Sequence, residues 1–200
     1  MSMRSTNGKS SSPSSSPSRI RDLRVAVAIS VLGLILMSVP AGAHPQTRKG
    51  FYLGIGLAAG TADVTTDSQG GSSSGGSGGS FRLGCAINPK FAVGFESNTW
   101  VHAGTDGAGQ LGVFTGAVSF FPAEGLVLRG GIGGGNNAGV GDGLSGEVGT
   151  GWTLGAAYEF RVMRTFAIGP QLDYNHVSLS YTDFSFTNIG LGMTWYFIPN

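Results

Sequence analysis

The sequence predicts an all-β protein: an eight-stranded antiparallel transmembrane β-barrel that is preceded by a cleavable signal peptide. Three observations lead to this fold class. A short apolar segment near the N-terminus ends in an Ala-x-Ala pattern, about eight later segments alternate apolar with small or polar residues, and almost every charge within those segments shares the parity of the small residues. The predicted domains are a signal peptide over residues 1–43 and a barrel domain over residues 44–200.

The N-terminal segment has the order of a secretory signal. A polar leader over residues 1–24, rich in Ser, Pro and Arg, precedes the hydrophobic region 25–39, and Pro40 ends that region. Ala41 and Ala43 form the small-residue cleavage pattern, which predicts that the remaining chain is exported. The alternative is an uncleaved anchor helix, but the hydrophobic region is shorter than the roughly twenty residues that a spanning helix needs.

Composition argues against several classes of function. Glycine accounts for 36 of 200 residues without a triplet repeat, and only 12% of residues are charged, about half the usual share in soluble proteins. Residues 44–200 carry seven basic and ten acidic residues and no basic patch, which argues against nucleic-acid binding. His44, His102 and His176 are far apart in the sequence and Cys85 is the only cysteine, so neither a metal site nor a disulfide is expected.

The first alternating segment contains a glycine pattern that could be taken for a dinucleotide-binding turn. That pattern, Gly54-x-Gly56-x-x-Ala59, binds a pyrophosphate only where a strand runs into a helix. Residues 61–80 have no helical period, and no acidic residue follows at the spacing that would hold a ribose, so no cofactor is expected. The glycines are instead expected to make room inside a narrow barrel.

Eight segments of about ten residues alternate in the manner of membrane strands. In GWTLGAAYEF, residues 151–160, Trp152 and Leu154 share one parity while Thr153 and Glu159 share the other. The other seven segments are FYLGIGLAAG at 51–60, SFRLGCAINP at 80–89, KFAVGFESN at 90–98, LGVFTGAVSFF at 111–121, GLVLRGGIGGG at 125–135, TFAIGPQLDYN at 165–175 and FTNIGLGMTWYF at 186–197. An even number of strands of this length is typical of bacterial outer-membrane barrels.

The connections between these segments are predicted to alternate in length. Short turns are expected at 88–90, 122–125 and 161–164, and long loops rich in Gly, Ser and Asp near 61–79, 97–110, 134–149 and 176–185. We expect the loop at 61–79 to be mobile because it is mostly Gly and Ser, and we expect Trp100 to lie in a loop. Short turns at one end and longer loops at the other also describe an outer-membrane barrel.

Five charged residues within the segments are predicted to point into the lumen: Arg82, Glu96, Arg129, Glu159 and Asp173. The opposite parity is apolar and uncharged, and a basic side chain that faces lipid near the midplane costs about 2–4 kcal/mol. Buried charges must be paired and hydrogen-bonded, so we expect a network with Arg129 as its hub. The network can act as a plug that fills the barrel, or as a gate that re-pairs to pass water or small ions.

Three segments carry a resemblance to a known family: GLVLRGGIGGG at 125–135, GWTLGAAYEF at 151–160 and GLGMTWYF at 190–197. They resemble the small eight-stranded outer-membrane barrels of the OmpA/OmpX-like superfamily, including opacity-type proteins. Gly192, Trp195 and Phe197 resemble the C-terminal assembly signal of that family, although three residues follow Phe197 here. The resemblance implies a monomer in the bacterial outer membrane, in contact with lipid and lipopolysaccharide, that the barrel assembly machinery inserts.

A second, shorter pattern involves His176 and Ser178. Their His-x-Ser spacing resembles that of the lipid A deacylase family, another eight-stranded outer-membrane barrel in which the His activates the Ser and an acidic residue orients the His. The expected carboxylate is missing from the next strand, because residues 184–197 contain no acid and Asp183 is assigned to the loop. A deacylase-like hydrolase is therefore only the second alternative function.

The sequence as a whole predicts a structural or surface-interacting protein without catalytic residues. Membrane integrity, adhesion or host contact is the expected role, with an extracellular ligand bound through the loops. A narrow pore gated by the lumen charges is the first alternative. Aromatic residues near strand ends, among them Trp152, Trp195 and Phe197, are expected to anchor the barrel at the membrane interfaces rather than to stack on a ligand.

Overall fold

The computed structural model describes residues 50–66, 69–104, 107–138, 148–180 and 182–197. The strand segments in these ranges are β1 (Gly50–Thr66), β2 (Gln69–Asn88), β3 (Phe91–Gly104), β4 (Gly107–Phe120), β5 (Leu126–Ala138), β6 (Val148–Tyr158), β7 (Phe160–Met163), β8 (Phe166–Ser178) and β9 (Thr182–Phe197). All pairings are antiparallel, and the sheet closes because β1 pairs with β9 and β6 pairs with β8. β6 and β7 both pair with β8 and are separated only by a break at Glu159, so together they count as one strand of the barrel. The barrel therefore has eight strands, and the predicted fold class is confirmed.

Three parts of the sequence prediction lie outside the described residues. These are the signal peptide, with its cleavage residues Ala41 and Ala43, residues 139–147 of the predicted loop at 134–149, and the three residues that follow Phe197. Within the described ranges, no helix has the length and apolar character needed to span a membrane.

Three tight turns define one end of the barrel, which we call the turn end. They lie at Pro89–Lys90, at residues 121–125 and at Arg164–Thr165, close to the positions that the sequence predicts. In the second turn Gly125 has a φ of 78°, a left-handed conformation that glycine adopts without strain. The backbone N–H of Glu159 donates to the carbonyl of Gly125 at 2.7 Å, which ties this turn to the break between β6 and β7.

The opposite end, which we call the hairpin end, corrects the predicted long loops. The ladder between β1 and β2 continues to the pair Thr66–Gln69, and the ladder between β3 and β4 continues to Gly104–Gly107. β8 ends at Ser178 and β9 begins at Thr182, so the regions 61–79, 97–110 and 176–185 are mostly strand. Gly, Ser and Asp in these regions reflect exposure to water and not irregular backbone, because an antiparallel ladder satisfies the backbone whatever the side chains are.

The outer face of the turn-end half is apolar and the inner face is charged. Leu128, Leu154 and Leu191 are 41%, 56% and 56% exposed, whereas Arg129 and Glu159 are 5% and 7% exposed. On β1 the outward residues are apolar from Phe51 to Ala59 and polar from Thr61 onward. At about 3.4 Å per residue and a strand tilt of roughly 40°, Phe51 to Ala59 rises about 21 Å along the barrel axis. That height approaches the apolar band of about 25 Å that a membrane barrel presents to lipid.

Beyond this band the polarity of the barrel reverses. The interior at the hairpin end is an apolar cluster, which we call the hairpin-end cluster: Ala62, Trp100, Leu111, Val113, Val177, Leu179, Phe184 and Phe186. The outward residues at the same height, such as Thr61, Asp63 and Ser73, are exposed and polar. This part of the barrel therefore has the polarity of a protein in water, as expected where strands extend out of the membrane.

Trp100 is the clearest correction within that cluster. It lies in β3 rather than in a loop, and it points inward with only 2% of its surface exposed. Its inward direction follows from the parity of β3, because Glu96 and Asn98 share that parity and are also buried. Trp100 is therefore a core residue of the hairpin end and not an exposed contact for a partner.

A second apolar cluster closes the interior at the turn end. This turn-end cluster consists of Ala92, Phe121, Val127 and Ala157, with Tyr52 and Ala86 packed against it. The lumen thus has an apolar cluster at the hairpin end, a polar and charged layer in the middle, and at the turn end a smaller apolar cluster with the buried Glu159 beside it.

Candidate functional site

The charged layer in the middle of the lumen is the first candidate site. Arg82, Glu96, Arg129, Glu159 and Asp173 are all buried, each on the inward parity of its strand. The strand register places Arg82 beside Glu96 and Arg129 near Asp173, whereas Glu159 lies nearer the turn end. Arg82 lies opposite Glu96 on β2 and β3, and Gly155 of β6 lies between Arg129 of β5 and Asp173 of β8.

Arg129 contacts two carboxylates from different strands. Its Nη2 donates to Asp173 Oδ1, and its Nε lies 3.4 Å from Glu96 Oε1. Gly155 makes this arrangement possible, because a Cβ there would overlap Asp173 Oδ1 and lie 2.9 Å from Arg129 Nη2. One guanidinium therefore contacts carboxylates from two other strands across the lumen.

Arg82 is held by a neutral partner that the sequence analysis does not single out. Its Nη2 donates to Gln171 Oε1 at 3.0 Å, and Gln171 Nε2 donates to Ser80 Oγ at 2.9 Å. Gly192 leaves the space for this contact, since a Cβ there would lie 2.9 Å from Arg82 Nη2. Gln171 has the same inward parity as Asp173, and that parity is the signal that would have identified it.

A layer of amides lies on the hairpin-end side of these charges. Asn98 Nδ2 lies 3.3 Å from Glu96 Oε1, 3.2 Å from Thr153 Oγ1 and 3.0 Å from Asn175 Oδ1. These contacts connect β3, β6 and β8 through groups that need no counter-charge. Asn98 and Asn175 carry no charge, and their inward parity is the signal in the sequence that would identify them.

Glu159 lies nearer the turn end, beside the C-terminal strand. The hydroxyl of Tyr196 donates to Glu159 Oε2 at 2.6 Å, and the guanidinium carbon of Arg161 lies 4.6 Å from the centre of the Tyr196 ring. A cavity of about 10 Å³, lined among others by Arg82, Arg129 and Glu159, separates this corner from the centre of the layer. That volume is about the size of one water molecule, so side chains fill this part of the lumen.

The residues of the predicted assembly signal lie on both faces of β9. Trp195 points outward with its ring centre 4.9 Å from that of Phe166, and Phe197 is exposed on the same face. Gly192 points inward, against Arg82 and Gln171. Both aromatic rings are at the turn end of the apolar band, a position typical of an interfacial aromatic girdle.

His176 and Ser178 form the second candidate site, on the outer face of β8. Asp183 does not lie in a loop, so the prediction for this residue is wrong. It lies in β9 directly opposite Ser178, because β9 starts at Thr182, shortly after the end of β8. Ser178 Oγ donates to Asp183 Oδ1 at 2.6 Å. Among the described residues no hydrogen bond joins His176 to Ser178, so the contacts run from Ser to Asp and not from Asp through His to Ser.

A groove opens on the outer surface beside these two residues. Ile132, Thr150, Trp152, His176 and Ser178 line it, and the backbone of the cross-strand pair Gly133 and Gly151 forms its floor. Its volume is about 640 Å³. The ring of Trp152 lies 5.5 Å from that of His176 and 5.4 Å from that of Tyr174, so one wall of the groove is aromatic.

The described ranges contain no group of three or more His, Cys, Asp or Glu side chains that could hold a metal ion. In these ranges His102 and His176 also have unrelated surroundings. His102 Nδ1 lies 2.7 Å from the carbonyl of Gly75 at the hairpin end, and His176 lies beside Trp152 on the outer face.

The chain is similar to known outer-membrane barrels in sequence and in fold. Residues 29–197 match the family described as outer membrane protein beta-barrel domain. None of the curated proteins compared with the sequence matches it. Ail, the attachment invasion locus protein of Yersinia pestis, is 16% identical with a TM-score of 0.52, over 74% of this chain and 99% of Ail.

Two further solved structures show the same likeness. Ail in complex with the heparin analogue sucrose octasulfate is 17% identical with a TM-score of 0.51, over 73% of this chain and 99% of Ail. Neisserial surface protein A is 13% identical with a TM-score of 0.55, over 74% of this chain and 97% of that protein. At these identities the likeness shows the fold alone.

Proposed function

Because the chain belongs to the outer membrane protein beta-barrel domain family, we propose that it is a non-enzymatic barrel of the bacterial outer membrane that contacts extracellular partners through its hairpin end. One observation carries this proposal. The strands continue past the apolar band, and there the barrel has a polar exterior around a packed apolar interior.

The hairpin-end cluster supports this role because it makes the projecting part rigid. Trp100, Phe184 and Phe186 are each no more than 2% exposed inside it. A packed core fixes the side chains of the polar exterior relative to one another. A surface of fixed shape binds a partner at a lower entropic cost than mobile loops do.

The charge of this end indicates the kind of partner. Asp63 and Asp183 are exposed on neighbouring strands, and the described part of the hairpin end contains no Lys or Arg. Ail has been solved with a sulfated heparin analogue, a polyanion. Because like charges repel a polyanion, we propose a neutral or cationic partner for this chain instead of a sulfated glycan.

The lumen is proposed to be a plug and not a gate. Arg129 is held between Glu96 and Asp173, and the one cavity next to these charges that is described has room for about one water molecule. An ion would also have to pass the apolar cluster at each end of the lumen. The plug contributes to the integrity of the membrane because it closes the barrel that spans it.

The outer His–Ser pair is proposed to be non-catalytic. A nucleophilic serine needs a base that accepts its proton, and here the hydroxyl of Ser178 donates to the carboxylate of Asp183. A carboxylate is a much weaker base than the imidazole of a histidine. Incubation with lipid A is expected to release no hydroxy-fatty acid; release that Ser178→Ala abolishes would establish a hydrolase.

Binding measured on the full barrel tests the proposed surface role. The protein in lipid nanodiscs is applied to immobilised neutral oligosaccharides, lysine-rich peptides and heparin. Binding to a neutral or cationic probe is expected, with loss when Asp63→Lys and Asp183→Lys are combined. Lys90→Glu, an exposed charge reversal at the turn end, is the matched control and should leave binding unchanged. Stronger binding to heparin, or no binding to any probe, would overturn the proposal.

A further inference from the structure

We propose that the outer groove between β5, β6 and β8 binds one acyl chain of an amphiphile whose head group carries an ammonium. This ligand belongs to the membrane, so the inference goes beyond the proposed contact with an extracellular partner and does not depend on it. Four features support it: the shape of the groove, its aromatic wall, its height in the membrane and the charge of its rim.

The shape of the groove comes from small residues beside large ones. Gly133 and Gly151 expose only backbone at its floor. Ile132, 79% exposed, lies directly opposite Trp152, which lies opposite His176, so these three side chains form one row on the turn-end side of the floor. The outward neighbour Gly134 adds no side chain that would close it. The groove, about 640 Å³ in volume, is shallow and open toward the surrounding lipid.

The aromatic wall suits the upper part of an acyl chain. Tyr174, Trp152 and His176 follow one another along it, with ring centres 5.4 and 5.5 Å apart. Rings of this kind have an apolar body and a polar group, and they are enriched where acyl chains meet head groups. The wall therefore offers apolar contact to a chain and polar atoms to the region just above it.

The groove lies at the outer edge of the apolar band. On β6 the outward residue toward the turn end is Leu154, and on β8 it is Leu172 beyond Tyr174. Toward the hairpin end the outward residues are Thr150 and Ser178. A lipid aligned with its neighbours in the membrane would therefore place its chain against Trp152 and its head group beside the hydroxyls.

The rim selects the charge of the head group. Asp183 accepts one hydrogen bond from Ser178, and a carboxylate has about four acceptor sites, so it can accept further donors from an ammonium. Asp63 lies on the adjacent strand, one diagonal position from Asp183. With these two carboxylates, and no Lys or Arg in the described part of this end, an anionic head group would be repelled.

Fluorescence quenching by brominated amphiphiles tests the inference directly. Trp100 is buried inside the barrel, so Trp152 and Trp195 are the tryptophans that face lipid in the described chain. Trp195→Phe leaves Trp152 as the reporter of the groove, and Trp152→Phe leaves Trp195 as a matched reporter at the opposite interface. Each variant is placed in bilayers of digalactosyl diacylglycerol, a lipid whose head group has no charge and no ammonium. The bilayers contain a small fraction of an alkyl-ammonium or an alkyl-phosphate amphiphile with a brominated chain.

The expected result is selectivity at Trp152 only. The ammonium amphiphile should quench Trp152 about threefold more strongly than the phosphate amphiphile at equal mole fraction, as one exposed ion pair allows. Quenching of Trp195 should show no such preference. Equal preference at the two tryptophans, or stronger quenching of Trp152 by the phosphate amphiphile, would overturn the inference.

Variants separate the groove from its rim. In the Trp195→Phe background, Gly134→Leu is expected to remove most of the selective quenching, because a Cβ there would meet nothing closer than Gly149 O at 3.6 Å and the side chain would narrow the groove. Gly75→Leu, at a position with nothing within 4 Å, is the control and should change nothing.

Asp183→Asn keeps an acceptor for Ser178 and is expected to abolish the preference for ammonium while general quenching persists. Because this variant leaves the packing intact, it decides the question even if Gly134→Leu fails to fold. An undiminished ammonium preference in Asp183→Asn would show that the rim carboxylate does not select the head group, and the inference would fall.

Discussion

Arg129 and Asp173 meet through the space that the missing side chain of Gly155 leaves between them. Arg129 is on β5 and Asp173 on β8, and the strand that separates them, β6, carries Gly155 at the same level. The ion pair is buried, so its formation depends on this glycine. A residue that looks like part of a flexible, glycine-rich sequence is thus a precondition for the central charge pair of the lumen.

We expect Gly155→Ala to destabilise the barrel by about 1–3 kcal/mol, the usual cost of an overpacked site. The added methyl group would overlap Asp173 Oδ1 and crowd Arg129 Nη2. The free energy of unfolding, measured by urea titration in detergent micelles, checks this. Gly116→Ala is the control: it points outward, and its Cβ would lie 3.9 Å from Ile132 O. Equal losses for the two variants would contradict the explanation.

Removal of Arg129 should lower the free energy of unfolding more than Gly155→Ala does. Arg129→Ala leaves Glu96 and Asp173 buried without their shared cation, and breaking a buried ion pair from one side typically costs about 3–5 kcal/mol. The triple variant Arg129→Met, Glu96→Gln, Asp173→Asn removes the charges together and should recover most of that loss. If the triple variant is as unstable as Arg129→Ala, the loss is not electrostatic.

The same variant distinguishes a plug from a gate. Arg129→Ala in planar bilayers is expected to conduct no more than the wild type, because the hairpin-end and turn-end clusters still close the lumen on either side of the charged layer. If Arg129→Ala instead gives stable ion currents that are larger than those of the wild type, the charged layer is the barrier to ions. That result would favour the gated pore.

The apolar cluster at the hairpin end should contribute as much stability as a soluble core. Trp100→Ala is expected to cost about 3–5 kcal/mol, since it removes a large side chain from a closed interior. Phe95→Ala on the outer face is the control, because detergent or lipid can occupy the space that its side chain leaves. Urea titration in micelles gives both values. A loss for Trp100→Ala no larger than for Phe95→Ala would mean that the hairpin end is not packed in solution.

The direction of side chains in the membrane-spanning half could be predicted from the sequence, but the hairpin end could not. Alternation with a period of two shows which side chains share a face of the barrel. Because a charge that faces lipid is costly, the face that carries Arg129 must be the inner one. Trp100 obeys the opposite rule because water, not lipid, surrounds the barrel at its height, and no local feature of the sequence marks that height. The position of Asp183 in a strand cannot be predicted for a related reason, since exposed strands and loops share the same polar composition.

Neutral partners were missed for a different reason. Gln171 and Asn98 contact the charged groups at 3.0 and 3.3 Å, but the sequence does not reveal which of several inward amides lies level with which charge. That depends on the stagger between strands, and the stagger follows from turns and bulges such as the one between Ala86 and Asn88.

The contact between Tyr196 and Glu159 should stabilise the closure of the barrel near the C-terminal strand. Tyr196→Phe keeps the ring on which the Arg161 guanidinium is stacked but removes the hydroxyl that donates to Glu159 Oε2 at 2.6 Å. A hydrogen bond to a charged group contributes about 1.5–3 kcal/mol, so a loss of that size is expected in the free energy of unfolding. Tyr174→Phe, which removes a hydroxyl from the outer face, is the control and should cost less than 0.5 kcal/mol, as surface substitutions usually do.

A double-mutant cycle isolates this contact from other effects of the two residues. If Tyr196 acts through Glu159, the combined variant Tyr196→Phe, Glu159→Gln should lose less stability than the sum of the single variants, with a coupling of at least about 0.5 kcal/mol. Strict additivity would show that the hydroxyl stabilises the barrel through another group. Tyr196 is in the closing strand and Glu159 is at the break between β6 and β7. A coupling between them would therefore show that this contact stabilises the barrel across that break.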